Sequence, residues 1–314
     1  MSRTEASGAL YIKLGEAGKY EADCIEKDQT LRLGYEGTPH ELCIRGKWDD
    51  VAEDARRRWT KGHLGAARRH ANQIQLFYES GPDVLWITFY KGLLWWCFSE
   101  REVTVDSDGT KTRRALDRWS SGDIKGEPLG ISRLSGKLTM LQGFRGTICE
   151  VRERDYLLRK INGEKEPQVL EAEAARDSLA KKTEAIIRKL DWRDFELLVD
   201  LIFTSAGWKR VSEVGKDQKT VDLILDAPII GRRYGVQIKS QADRAAFEEY
   251  KSKVENRPEV KHYFVVHSPV SDLGELAERM TEEEKDKVEI LGPRQLAEWS
   301  VRCGLVDWLI DKAG

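Results

Sequence analysis

The stretch GKDQKTVDLILDAPIIGRRYGVQIKSQ, Gly215 to Gln241, decides the reading of this chain. It reads as two short apolar strands, Val221 to Leu225 and Tyr234 to Lys239, joined by a turn. The first carries one acid, Asp222, and the second closes on Gln237-Ile238-Lys239. Residues two apart in a strand point to the same face. Gln237 and Lys239 therefore share a side, while Val236 and Ile238 turn with Leu223 and Leu225 toward a core. If the strands pair, Asp222 faces the same cleft, and an acid, an amide and an ammonium converge. Carboxylate and amide oxygens are hard ligands suited to magnesium. The ammonium can position or deprotonate water, or offset the charge of a pentavalent phosphorane. Such a set suits metal-assisted phosphodiester hydrolysis. The same alternation also describes the solvated face of an edge strand.

Upstream, DWRDFELLVDLIFTSAGW places Phe195, Leu198, Val199, Ile202 and Phe203 at helical spacing, ended by Gly207. Asp191, Asp194 and Asp200 read as caps and solvent charges. Downstream come an amphipathic helix, DRAAFEEYKSKVEN, a buried-strand pattern, VKHYFVVHS, a further short strand and one or two closing helices. Together these describe a mixed sheet with helices on both sides.

This order, with its motifs, resembles the PD-(D/E)xK nuclease superfamily, in particular its Mrr-like restriction endonuclease branch, where the last acid of the motif is commonly Gln. The matching residues are Phe195-Glu196 on the leading helix, Asp222 in TVDLIL and Gln237-Ile238-Lys239 in VQIKSQ. HYFVVHS and LAEWSVRCGLVDWLI look like that branch's fourth strand and tail, so the resemblance spans about residues 190 to 312. It implies Glu196, Asp222, Gln237 and Lys239 as the catalytic set. Asp222 and Gln237, with Glu196, would hold magnesium or manganese. Glu184 and Glu248 are the alternative third acids. The lead-in GKDQKTVD is poorer in glycine than is usual in that family. A degenerate, non-catalytic nuclease fold stays open, since fold does not fix chemistry.

The rest of the chain sets the context. At 314 residues it exceeds what one core usually serves. The expected division is a sensing domain at 1–155, a helical connector at 156–189 rich in Ala, Glu and Lys, and the nuclease domain at 190–314. The 52 basic residues nearly balance 54 acidic ones, so any nucleic-acid surface must be a local patch. Arg232-Arg233 and Lys209-Arg210 are best placed to meet a DNA backbone. Arg56 to Arg58, Lys61, Arg68, Arg69 and His70 form either a second phosphate stripe or a solvated helix face. The five cysteines are scattered and lack a CxxC pair, which points to a reducing compartment rather than a disulfide or zinc framework. No apolar run approaches membrane-spanning length, so a cytoplasmic protein is expected. His262 and His267, flanking YFVV, read as surface or cap residues.

Six of the ten tryptophans fall before residue 120. ALYIKLG and TLRLGYEG read as strands, and KWDDVAEDARRRWTKG and LGAARRHANQIQLFYES as helices. VLWITFYKGLLWWCF is a hairpin turning at Lys91-Gly92, VTVDSDGTKTRR turns at Asp108-Gly109, and LTMLQGFRGTICEV supplies the last strands. The element order fits a small barrel or open sheet with helices at its side. Both hairpin faces carry aromatics: Trp86 and Tyr90 on one, Phe89 on the other, with Trp95 and Trp96 opposed. One face fills a core. The other either stacks a flipped base or packs beneath the helices. The order and the LRLGY strand look like a PUA-like domain of the EVE/YTH kind over about residues 8 to 150. That likeness implies an aromatic cage for a modified base, with Trp48, Trp86, Trp95 and Trp96 as candidates.

The expected protein is thus a two-domain, metal-dependent endonuclease acting on double-stranded DNA that carries modified bases, and a homodimer. The alternatives are a nuclease gated by a nucleotide signal and a non-catalytic DNA-binding protein.

Overall fold

The computed structural model describes residues 3–211, 221–269 and 273–314. The chain divides into two compact units, 1–166 and 167–314, each mixed α/β. The expected connector, 156–189, is shared between them. Among the described residues no helix is long and apolar enough to cross a membrane.

The first unit begins with β1 (Gly8–Ile12) and β2 (Thr30–Leu33), then α1 (His40–Ile44), α2 (Trp48–Arg58) and α3 (Leu64–Glu79). β3 (Val84–Tyr90), β4 (Leu93–Cys97), β5 (Thr104–Val105) and β6 (Lys111–Arg114) follow, then α4 (Gly136–Thr139), β7 (Ile148–Glu150) and α5 (Arg154–Ile161). The barrel or open sheet expected here takes the form of two sheets, ordered β4-β3-β1-β7 and β2-β6-β5. The β3–β4 turn sits on Lys91 and Gly92, whose φ values of 49° and 75° match the left-handed turn that hairpin twist favours.

Strand β3 is buried on both faces. Leu85, Ile87 and Phe89 meet Leu138, Val151, Leu157 and Ile161. Trp86 meets Val51, Ile74 and Phe77 of α2 and α3. Of the two readings of the aromatic hairpin, packing beneath the helices is the one realised at Trp86. The stretch LTMLQGFRGTICEV is a correction: only Ile148–Glu150 is a strand, and residues 136–143 form helical turns. Leu138 is buried while Met140 is 75% exposed, so their two-residue spacing is not a strand's common face. Ser135 caps the turn by accepting from the backbone N–H of Lys137.

The second unit holds α6 (Pro167–Ile187), α7 (Trp192–Ser205), β8 (Lys209–Arg210), β9 (Leu223–Ala227), β10 (Arg232–Ala242) and α8 (Arg244–Val254). It ends with β11 (Lys261–Pro269), α9 (Leu273–Arg279), α10 (Glu282–Lys287), β12 (Val288–Leu291), α11 (Pro293–Arg302) and α12 (Val306–Ala313). The sheet order is β12-β11-β10-β9-β8, with β10, β11 and β12 parallel and β8 and β9 antiparallel to their neighbours. Helix α7 buries the five apolar residues its spacing predicts. Asp191 caps it, accepting from the backbone N–H of Arg193 at 2.9 Å, and Gly207 leaves it at a φ of 86°.

Strand β10 sits at the centre of the sheet. Val236 and Ile238 join Leu223, Leu225, Val265 and the α7 and α11 side chains in one core. On the other side Phe264, Val266 and Ile290 pack with Phe247, Tyr250 and Val254 of α8. Gln237 lies opposite Phe264 in the parallel ladder, so it belongs to this second side.

Candidate active site

Asp222 stands one residue before β9, where the β9–β10 ladder ends at Val236 opposite Leu223. Its backbone N–H donates to the Val236 carbonyl at 2.8 Å. Its Oδ2 accepts from the backbone N–H of Ile238 at 2.6 Å and from the Gln237 amide at 2.5 Å. The carboxylate thus takes up a backbone donor that the ended ladder leaves without a strand partner. The same arrangement fixes Asp222 against Gln237, which is 6% exposed. The juxtaposition expected from the sequence is present. The glycine-poor lead-in at 215–220 lies outside the described residues.

Lys239 follows on the same side of β10, at an exposed position. Its ammonium makes no hydrogen bond or ion pair with a described residue, though, after Lys253, its charge helps to lower the Glu249 carboxyl. Glu196, half-buried on α7, is the third member. Burial raises its carboxyl above the ordinary range, and the charge of Asp222 raises it further against the opposing pull of Arg210. Two carboxylates close enough to repel one another, beside an amide, form a set whose repulsion a divalent cation relieves. An amide offers its nitrogen to a lone carboxylate and its oxygen to a cation by turning about its last torsion. The residues fit a hard cation held by Asp222 and Gln237, with Glu196 nearby. Among the described residues no three His, Cys, Asp or Glu side chains converge on a metal position by themselves. Of the alternative acids, Glu184 is engaged by Arg188 at 2.7 Å, and Glu248 is exposed on α8.

Two residues read as peripheral are not. Asp200, one turn beyond Glu196 on α7, is half-buried, and its Oδ1 is sealed from solvent without a hydrogen-bond partner among the described residues. His262 is 3% exposed, opposite Gly235 in the β10–β11 ladder. Its Nδ1 lies 3.4 Å from the Tyr250 hydroxyl and its Nε2 3.8 Å from the Glu259 carboxylate. A methyl at Gly235 would stand 2.3 Å from that Nδ1, which explains a glycine in the central strand. That glycine was the one signal in the sequence that something large crosses β10 there. His267 does act as a cap: its Nε2 donates to the Ile187 carbonyl at 3.0 Å, at the end of α6.

The structure places the expected backbone-contacting cations near one end of the sheet, on alternating faces. Lys209 and Arg233 both lie opposite Asp226, and Arg232 lies opposite Ala227. In the first unit Arg56 and Arg58 are paired to Glu53 and Asp54, each at 2.7 Å, whereas Arg57, Lys61, Arg68 and Arg69 have no ion pair among the described residues. Among the described residues no two of the four tryptophans are in ring contact: Trp48, Trp86 and Trp95 border one core and Trp96 the other. Trp86 is fully buried. Trp48 donates to Glu79 at 2.7 Å, Trp95 to the Tyr90 carbonyl at 3.1 Å, and Trp96 to the Gly122 carbonyl at 2.9 Å from the opposite side of the sheet. Rings do gather elsewhere, where Tyr35, Trp59 and His70 pack with centroids 5.3–6.1 Å apart.

Residues 187–300 match the family model of the Mrr catalytic domain, described as restriction endonuclease. The match contains Glu196, Asp222, Gln237 and Lys239. The second unit therefore carries an Mrr-like restriction-endonuclease domain, which implies DNA as its substrate. No curated protein and no solved structure matches the chain.

Proposed function

We propose that this protein is a divalent-metal-dependent DNA endonuclease of restriction or phage defence, acting in the cytoplasm. Its first unit recognises modified bases in foreign DNA, and its second cuts the backbone. The observation that carries the reading is the contact between Asp222 and Gln237, beside a Glu196 carboxyl raised by burial and by Asp222. Asp222 and Gln237, with Glu196, hold magnesium or manganese. When bound, the cation neutralises charge at the phosphodiester and acidifies water. Lys239 orients the attacking water from the exposed face of β10 and offsets the negative charge that grows on the phosphate. Lys209, Arg210, Arg232 and Arg233 hold the flanking backbone. Cutting both strands takes two such sites, which a homodimer supplies.

Base recognition follows from the likeness of the first unit to PUA-like domains. Trp48, Trp95 and Trp96 keep partial exposure, and the fully buried Trp86 is the least well placed of the four candidates. A second reading, gating by a nucleotide signal, is favoured by a cavity of about 800 Å³ in that unit, lined by Leu138, Leu141, Phe144 and Val151.

The test is digestion of an unmodified plasmid and one carrying methylated or hydroxymethylated cytosine, with magnesium, by wild type and by Asp222→Ala and Lys239→Ala. Cutting confined to the modified plasmid, and slowed at least ~100-fold in both variants, is the expected result. Equal cutting of both plasmids removes the modified-base sensor and keeps the nuclease. Cutting that persists in Lys239→Ala overturns the assigned site. Cutting that appears only with an added nucleotide selects the second reading.

A further inference from the structure

We propose that the tip of the β9–β10 hairpin, Ile229 and Ile230, is an apolar wedge that enters duplex DNA beside the cut site. The proposal rests on the nuclease reading and extends it to how the duplex is held. Ile229 is 99% exposed and Ile230 59%, the most exposed pair of adjacent large apolar residues among those described. The turn that carries them is pinned. The backbone N–H groups of Ile230 and Gly231 both donate to the Ala227 carbonyl, at 3.2 and 2.9 Å, and Gly231 takes a φ of 61°. Pro228 fixes its own φ in the same turn. The two side chains are therefore presented outward by a defined backbone.

Bare isoleucines on a hairpin are a liability that a protein keeps only for a partner. Charge says which partner. Lys209, Arg232 and Arg233 are exposed at the base of the tip, and none has an ion pair among the described residues. The one acid in their ladder is Asp226. A cationic collar around an apolar point fits a phosphate backbone flanking a base step. It does not fit a second copy of this chain, because a two-fold contact would set collar against collar.

Continuity with the site gives the register. Asp222, one residue before β9, and Gln237, midway along β10, lie beyond the base of the same hairpin. From Gln237 to Arg232 is five residues, about 17 Å of strand at ~3.3 Å each. That matches about five base steps at ~3.4 Å. A duplex lying along the hairpin reaches the base of the tip about half a helical turn from the scissile phosphate, and the isoleucines just beyond it.

The experiment uses the full chain and a duplex carrying 2-aminopurine at successive positions, read in EDTA, together with KM and kcat for plasmid cutting in magnesium. The variants are Ile229→Ser with Ile230→Ser, and Ile229→Leu with Ile230→Leu. Both positions are exposed, so neither variant disturbs a core. Wild type should brighten the probe at one position, through unstacking. The serine pair should lose that signal and raise KM ~10-fold with kcat held within about twofold, and the leucine pair should restore both. Serine variants that match wild type in signal and KM overturn the wedge and leave the nuclease intact. So does a serine pair that loses its oligomeric state at unchanged DNA affinity, which would assign the tip to self-association. Wild type that neither binds nor cuts any duplex fails the nuclease reading itself, and the wedge with it.

Discussion

Gly235→Ala is the smallest substitution that probes the wall behind the candidate site. The added methyl would lie 2.3 Å from His262 Nδ1 and 2.7 Å from its Cε1, with Val221 Cγ1 at 3.3 Å. No carbon sits that close to a ring, so the imidazole must move. It is confined by the Tyr250 hydroxyl at 3.4 Å on one side and the Glu259 carboxylate at 3.8 Å on the other. Overpacking of this kind costs about 1–3 kcal/mol. The backbone conformation adds nothing to that, because Gly235 is not among the residues with positive φ. His262→Ala alone removes a buried ring and should cost about 2 kcal/mol. In the double variant the methyl enters the space the ring vacated, and the alanine gains the strand order that glycine lacks. The pair should therefore cost no more than His262→Ala by itself, a coupling of at least ~1 kcal/mol. Hydrogen exchange of amides in β10 and β11, followed by mass spectrometry on the full chain, reads this locally. Gly235→Ala should speed exchange roughly 5- to 150-fold, and His262→Ala should absorb the effect. Additivity of the two substitutions within about 0.5 kcal/mol would refute the steric account.

Glu196→Gln tests the acid pair through pH. Between the ordinary glutamate value of 4.5 and the raised value in the fold, the native protein binds more protons than the unfolded chain. Wild-type stability therefore falls as pH rises through that window. The glutamine variant should melt higher than wild type at neutral pH and converge with it below the ordinary value, as calorimetry would show; no gain at neutral pH would contradict the repulsion. Arg113→Met tests the first unit. The buried guanidinium donates to the carbonyls of Glu100, Phe77 and Ser80 at 2.7–2.8 Å, and its loss strands three acceptors. The first unit should lose at least about 3 kcal/mol, and Arg113→Lys should not restore it, since one ammonium cannot span the fork. Urea unfolding of the three proteins decides this, and recovery by lysine would refute it.

The second unit was more legible in the sequence than the first, for a physical reason. Its signals are long-period: α7 buries the predicted stripe, and β10 sends Val236 and Ile238 into one core while Gln237 faces the other side. The site residues follow from that alternation plus one pairing, Asp222 with Gln237. What stayed hidden depends on neighbours distant in sequence. His262 looked like a surface residue until the ladder set it against Gly235. Asp200 looked solvated until its helix was seated. In the first unit, Leu138 and Met140 matched a strand's spacing, but only tertiary packing chooses which of them is covered. The tryptophans suggested a cage because composition reveals ring surface without showing what already occupies it; for Trp86 the occupants are Phe77 and Arg113.

The burial of α6 and α12 side chains has a consequence for where this molecule can be divided. The family match begins at residue 187 and ends at 300. Yet Ala180, Thr183 and Ile187 of α6 are buried, and so is Leu309 of α12. A fragment trimmed to the matched residues would lose Ala180, Thr183 and Leu309 and open the core that supports α7. The matched stretch is shorter than the compact unit that holds it, and a graft of this domain onto another protein should be joined near Pro167.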